Sequence, residues 1–381
     1  MAVRPTDDEG VARALREAGD EGRTVLVEGG GTKPGFGLPV ADDPLVLETG
    51  GLTRAVALEP GDFVCVAQAG MRLADLQAAL AADAGHRQRL MLDPPHGLAQ
   101  TLGGIVSTNA SGPLRHRYGA PRDLVLGARF VTGDGTVAKT GGRVVKNVAG
   151  YDLSRLLCGS LGSLAVITEL TFKLHPVPPS ACTVVVEDLT ADGAGALAAR
   201  LRTASLTASA IEALWPERVV AVRLESSEQA LAAQVEALVA LAPGARRLGS
   251  AEAVAMWEGV SRRPWHGEGV VAGVGVPPAR VGRLLALAEA ASATVGLRLA
   301  LGVGELRLDA GADGIATLRA AVETLGGQLA LRRAPAALQA LAYGDRDPVA
   351  LDLMRAVKQR LDPGAVLPSR LFAPADDLVA A

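Results

Sequence analysis

The 381 residues allow for about two to three domains, and a hydrophobic share of 49% supports sizeable cores. A formal charge of −3 with 3% aromatic residues excludes both a basic footprint for nucleic acid and a base-stacking platform. No uninterrupted run reaches the ~20 apolar residues of a membrane span, since Arg283, Glu289 and Arg298 break the richest stretch.

In chain order, the opening MAVRPTDDEG lacks the apolar h-region of a signal peptide, so a cytoplasmic protein is expected, with peripheral attachment left open. Residues 7–19 alternate like a surface helix, and strand signals follow at 24–28, 44–48, 55–59 and 63–68. Helical period returns at 72–84 and stops at Gly85. Residues 92–113 are dominated by Pro, Gly and small polar residues and are expected to be loop. DLVLGARFVTGDGTVAKT (123–140) reads as a hairpin turning at Gly133-Asp134-Gly135. Residues 151–158 read as helix, and 164–174 as a β-rich run closed by HPVPP.

The Pro cluster at 176–179 marks a domain boundary. Beyond it, strands at 182–187, 218–224, 269–276 and 304–309 alternate with helices near 191–202, 228–241, 279–293 and 314–325. This alternation predicts a ferredoxin-like α+β domain, as one unit or two side by side. The expected domains are 1–178, 179–340 and a segment, 341–381, that returns to the first. Cys65, Cys158 and Cys182 form neither a disulfide framework nor a zinc site, and are too few for an iron–sulfur cluster. Each is read as a small buried apolar residue. No metal site is expected.

The stretch VEGGGTKPGFG (27–37) follows a β-branched run and presents three consecutive glycines. It is not a Walker A loop, because Lys33 is followed by Pro34 rather than Ser or Thr. Nor is it a Rossmann turn, because PGFGLP (34–39) opposes helix propagation. Such a loop holds an anion as a nest of N–H groups, or else is a plain Gly-rich turn. Two further clusters occur in the same domain, LDPPHGLAQTLGGIVSTNASGP (92–113) and CGSLGSLAVITE (158–169). Together the three point to one extended ligand with a phosphate end.

The set EGGGTK, VAQAGMRLADLQ, TLGGIVSTNASGP, RDLVLGARFVTGDGTV and KNVAGYDLSRLLCGSLGSLAVITELTFKLHP resembles the FAD-binding domain of the vanillyl-alcohol oxidase and D-lactate/glycolate dehydrogenase group. VVKNVAGYDLSRLLCGSLGSLAVITE is most similar to the smaller, E-type FAD-binding subunit of glycolate oxidase. The resemblance covers residues 20–178 and reappears at VKQRLDPGAVLPSR (357–370). It implies an α+β fold: a two-subdomain FAD-binding domain plus a ferredoxin-like cap. It also implies FAD held against side-chain-poor backbone, with no helix dipole aimed at the diphosphate. Gly29, Gly30, Gly31, Thr32 and Lys33 would hold the pyrophosphate. Thr101, Gly103, Gly104, Ser111 and Gly112 would follow the ribityl chain and isoalloxazine, with Gly159, Gly162, Val166 and Ile167 completing the seat and Pro94 counted among the cofactor-binding residues. Asn147, Gly150, Tyr151 and Asp152 match the family's second signature, with Tyr151 and Asp152 read as structural. Two departures stand out. Glu28 occupies a position where relatives carry Arg and is expected to face away. LPSR (367–370) replaces the usual Asn-Pro-Gly.

The family's catalytic subunits carry an H-x-x-GDGN-x-H metal motif that this sequence lacks; GVGELRLDAGADG (302–314) lies where it would fall. None of the five histidines, His86, His96, His116, His175 and His266, has metal-ligand spacing to another. His96, after two prolines, is the candidate base, against a plain loop hydrogen bond. His266 with Arg262 and Arg263 reads as a carboxylate contact or as a solvated face. Three readings stand at this point. The first is an FAD-dependent subunit oxidising glycolate or a related 2-hydroxy acid to glyoxylate. The second is an FAD-binding structural or electron-relay subunit without its own substrate site. The third is a same-fold enolpyruvyl reductase, which would need NADPH. The resemblance implies a larger flavin subunit and an iron–sulfur subunit as partners, and through them a place at the inner membrane face.

Overall fold

The computed structural model describes residues 2–40, 43–83, 85–143, 150–344 and 346–372, so Asn147 lies outside the described residues. The chain divides into two units, one of residues 1–111, 120–177 and 345–381, the other of 112–119 and 178–344. Among the described residues no helix is long and apolar enough to cross a membrane.

In the first unit, helix α1 (Asp8–Asp20) starts where Asp7 accepts a hydrogen bond from Gly10 N at 2.8 Å. Its buried face, Val11, Leu15 and Ala18, covers a parallel sheet ordered β1-β3-β2, with β1 at Ala2–Val3, β2 at Val25–Glu28 and β3 at Leu45–Glu48. An antiparallel sheet follows, formed by β4 (Ala55–Glu59), β5 (Val64–Gln68), β6 (Val125–Thr132), β7 (Val137–Gly141) and β8 (Ala165–Lys173) in the order β4-β5-β8-β6-β7. Its two faces feed two cores. Val131 and Val166 join α1 and the parallel sheet. Phe130, Ile167 and Phe172 join helices α2 (Leu73–Ala81), α3 (Leu102–Ser107) and α4 (Leu153–Leu157). The C-terminal helix Pro348–Leu361 packs on the same core through Val357 and Leu361.

Helix α3 corrects the expectation of an unbroken loop at 92–113. Thr101 caps it, accepting from Gly104 N at 3.3 Å. Gly103 lets it lie against Ala69, where Gly103 N donates to Ala69 O at 2.7 Å and an added Cβ would come within 2.9 Å of Ala69 Cβ. Composition hid a helix whose glycines serve close approach rather than chain reversal.

The second unit contains two βαββαβ repeats. The first runs β9 (Ser180–Val186), α5 (Ala191–Thr203), β10 (Ala208–Trp215), β11 (Val219–Ser226), α6 (Glu228–Leu241) and β12 (Arg246–Arg247). Helix α7 (Ser250–Arg262) links it to the second: β13 (Val270–Gly275), α8 (Val281–Ala290), β14 (Thr294–Arg298), β15 (Val303–Leu308), α9 (Ala312–Thr324) and β16 (Gln328–Arg333). One antiparallel sheet results, ordered β12-β9-β11-β10-β14-β15-β13-β16. The two ferredoxin-like repeats thus meet edge to edge at β10 and β14, and their first helices cross where Gly195 and Gly282 approach. The sequence reading placed half of these strands and missed α7. Strand β10, ASAIEALW, is buried along its whole length and shows no alternation. Strand β14 follows directly on α8, and the sequence reading, which ends that helix at 293, assigns no strand there.

At the seam, Arg298 on β14 pairs in register with Glu212 on β10. Its Nε donates to Glu212 Oε1 at 3.3 Å and its Nη1 to Glu305 Oε2 at 2.7 Å, with Glu212 fully buried. The short helix Arg115–Tyr118 also belongs to this unit, although the sequence reading puts it in the first domain. Tyr118 Oη donates to Glu225 Oε2 at 3.1 Å, and burial pushes this phenol up to about 12. His116 beside it is held below 6.5, mainly by burial and then by Arg117.

Replacing Arg298 with Leu should strand the Glu212 carboxylate in the sheet and cost about 3–5 kcal/mol in urea denaturation. The unfolded chain binds a proton at His116 more readily than the folded one. This contribution to stability is therefore complete above pH 6.5 and lost as pH falls below it. His116→Gln should reduce the drop in urea midpoint between about pH 7.5 and about pH 5.5.

Candidate functional site

The parallel pairing of β2 with β3, Val25↔Leu45 through Glu28↔Glu48, delivers Gly29–Gly31 at the carboxyl end of a strand. Such ends are where open α/β sheets bind ligands. The glycines there answer to different demands. A Cβ on Gly29 would sit 2.3 Å from Thr101 Oγ1, so packing against the cap of α3 forbids one. At Gly31 no atom lies within 4 Å of an added Cβ, but its φ of +65° disfavours any other residue. Gly31 is thus backbone presented to open space.

Lys33 follows, and its Nζ donates to Gln100 Oε1 and, at 3.0 Å, to Thr108 Oγ1. Thr108 Oγ1 in turn donates to Gly104 O at 2.7 Å. Two neutral groups, Gln100 and Thr108, thus hold the Lys33 ammonium across α3. At the other end of α3, Gly159 N donates to Val106 O at 3.0 Å and Leu161 N to Ser107 O at 2.8 Å. Left-handed φ values at Gly159, Leu161 and Gly162 fold that third turn against the helix.

Two contiguous clefts result. The larger, of about 150 Å³, is lined by Gly29, Gly30, Gly31, Thr32, Lys33, Thr101 and Gly104, together with Gln100, Ser107, Thr108, Leu161 and Arg370. The smaller, of about 50 Å³, is lined by Gly103, Gly162, Ala165 and Ile167 and shares Val27, Gly29, Gly104, Ser107 and Leu161 with the first. All three glycine clusters therefore border one continuous space. Side-chain-poor glycine backbone beside two cations, Lys33 and Arg370, suits a dinucleotide with an anionic middle.

Other expected residues lie elsewhere. Val166 points into the core behind β8, as strand alternation requires once Ile167 faces the cleft. Pro94 is buried and its carbonyl accepts from Gly97 N at 3.0 Å. Ser111 is buried, Gly112 opens the segment assigned to the second unit, and Gly159 acts through its backbone bond to α3. His96 is half-buried in a left-handed turn, φ +68°, and lines neither cleft. Glu28 is exposed and lines the larger cleft, so water screens its carboxylate there. Burial pushes the Cys65 and Cys158 thiols up to about 12, which keeps them protonated and unreactive.

Sequence reasoning missed Gln100, Ser107, Thr108, Leu161 and Arg370. All five lie inside the stretches already singled out, 92–113, 158–169 and 357–370, where glycine density drew the reading to their neighbours.

Residues 1–141 match the family model described as FAD binding domain. Glycolate oxidase subunit GlcE of Escherichia coli (strain K12) is 41% identical over 155 residues, 40% of this chain and 43% of that protein. D-lactate dehydrogenase of Archaeoglobus fulgidus is 36% identical over 178 residues, 46% of this chain and 39% of that one. Glycolate oxidase subunit GlcD of Bacillus subtilis (strain 168) is 30% identical over 185 residues, 49% and 38% of the two chains. The matched stretch thus spans about two fifths of these relatives. Among solved structures, an alkyldihydroxyacetonephosphate synthase superposes with a TM-score of 0.71 at 15% identity, covering 96% of this chain and 76% of that one, a likeness of fold alone. Residues 1–141 thus form an FAD-binding domain, and the cofactor of that domain is FAD.

Proposed function

We propose that this chain is the E-type FAD-binding subunit of a glycolate oxidase, oxidising glycolate or a related 2-hydroxy acid. The observation that carries the reading is the convergence of three glycine clusters on one space around α3, in a chain 41% identical over 155 residues to a glycolate oxidase subunit. In this reading Gly29–Lys33 hold the diphosphate and Gly103, Gly104, Gly162 and Ile167 border the flavin side. FAD supplies the two-electron acceptor for the alcohol, and the chain's residues bind it, orient it and exclude water. Electrons then pass to a larger flavin subunit and an iron–sulfur subunit. Such a complex places the chain in the cytoplasm, or at the inner membrane face through those partners.

One observation favours a second reading, an FAD-binding relay or structural subunit. The lining of the two clefts includes no histidine, and its ionisable groups are Glu28, Lys33 and Arg370. The one carboxylate among them, Glu28, stands beside the loop assigned to the diphosphate, and the described lining of the smaller, flavin-side cleft has no ionisable group to take the hydroxyl proton.

The purified chain should be yellow. Anaerobic bleaching by glycolate or D-lactate supports the first reading, whereas bleaching only after a partner subunit is added supports the second. Gly31→Val should release FAD, read by loss of the flavin spectrum after gel filtration, because Cβ substituents would enter the space facing the diphosphate. Full flavin retention in that variant would overturn the placement.

A further inference from the structure

We propose that Arg370, from the far end of the chain, is a phosphate-side residue of the FAD site, set in place by the buried Lys358–Asp362 pair. The inference rests on the placement of the diphosphate at Gly29–Lys33.

The C-terminal helix ends in Lys358 and Asp362, both buried. Lys358 Nζ donates to the Asp362 carboxylate and, at 2.7 Å, to Leu367 O. Asp362 also accepts from Val366 N at 3.0 Å and Leu367 N at 2.8 Å, which closes the PGAV turn. Gly133 lies so close that an added Cβ would meet Asp362 Oδ1 at 1.9 Å, and its N–H donates to Leu361 O at 3.0 Å. The turn is thereby pinned to the β6–β7 hairpin. Val366 O then accepts from Val25 N at 2.7 Å, at the start of the strand that leads into the glycine loop.

From this anchor the chain reaches Arg370. Its N–H donates to Ser163 Oγ at 3.1 Å, its carbonyl accepts from Leu38 N at 2.9 Å, and its guanidinium donates to Phe36 O. One residue thus ties the first glycine loop to the third glycine turn while its side chain lines the larger cleft. The ionisable lining there is one carboxylate, Glu28, and two cations, Lys33 and Arg370. Backbone N–H groups alone offer partial charge. Arg370 adds a permanent full charge in a planar fork suited to phosphate oxygens.

The test is the FAD dissociation constant of the full-length apo-protein, from flavin fluorescence quenching at low and high ionic strength, for the parent, Arg370→Gln and Arg370→Lys. Parent affinity should fall with salt. Arg370→Gln should weaken FAD binding about tenfold or more at low salt and flatten the salt response. Arg370→Lys should keep that response. A parent affinity indifferent to salt overturns the proposal without recourse to any variant. So does an Arg370→Gln affinity within about twofold of the parent, or a Lys variant that behaves like Gln. If Gly31→Val loses FAD and Arg370→Gln does not, the diphosphate placement stands and the role of Arg370 falls. If Gly31→Val retains FAD, the placement falls and takes this inference with it.

Discussion

The first unit depends on one six-residue helix, α3, being held by both its ends and its buried face. Leu102, Ile105 and Val106 are wholly buried, each worth about 1.5–3 kcal/mol in area removed from water. That burial fixes the helix in the core beside β8. Its remaining surface is small or polar, Gly104, Ser107 and Thr108, and it borders the cleft. Thr101 at one end abuts Gly29, and the carbonyls of Val106 and Ser107 at the other take the N–H groups of the third turn. The first and third glycine clusters, far apart in sequence, are brought to the second because each is bonded to, or packed on, the short helix that the second contains.

This arrangement separates two reasons for glycine that look alike in a sequence. Gly29 and Gly103 are required by neighbouring protein atoms, Thr101 and Ala69, whatever ligand is bound. Gly31 has no such neighbour and is selected by its left-handed backbone where it lines the larger cleft. Gly104 in the first turn of this helix lines both clefts while its N–H is taken by Thr101 Oγ1. In the second unit, internal symmetry does comparable work. Two βαββαβ repeats extend one sheet, and the seam edges that would otherwise be exposed pair with each other. A charged group sits at the join, where Arg298 answers carboxylates from both repeats.

Much of the fold was legible because the signals were local. Strand β2, the Gly133-Asp134-Gly135 hairpin and the Pro cluster before β9 were each set by alternation or turn chemistry within a few residues. Strands β10 and β14 were not, because a strand covered on both faces loses its alternation, nor was the edge strand β16, whose Leu-Ala-Leu run suits a helix equally well. In the site, glycine clusters announced themselves by density. Gln100 and Thr108 did not, since their role is to position Lys33 across a helix that composition had concealed.

What the amino-acid sequence determined by itself is the cofactor class and the glycine loops that approach it, because both are written in contiguous residues whose chemistry needs no partner. Only the tertiary structure decided which of those glycines face the cleft, which face the core, and that an arginine over 300 residues away belongs beside them. Side-chain direction on a strand, contact across a helix and the return of a chain terminus are all set by packing between segments distant in sequence.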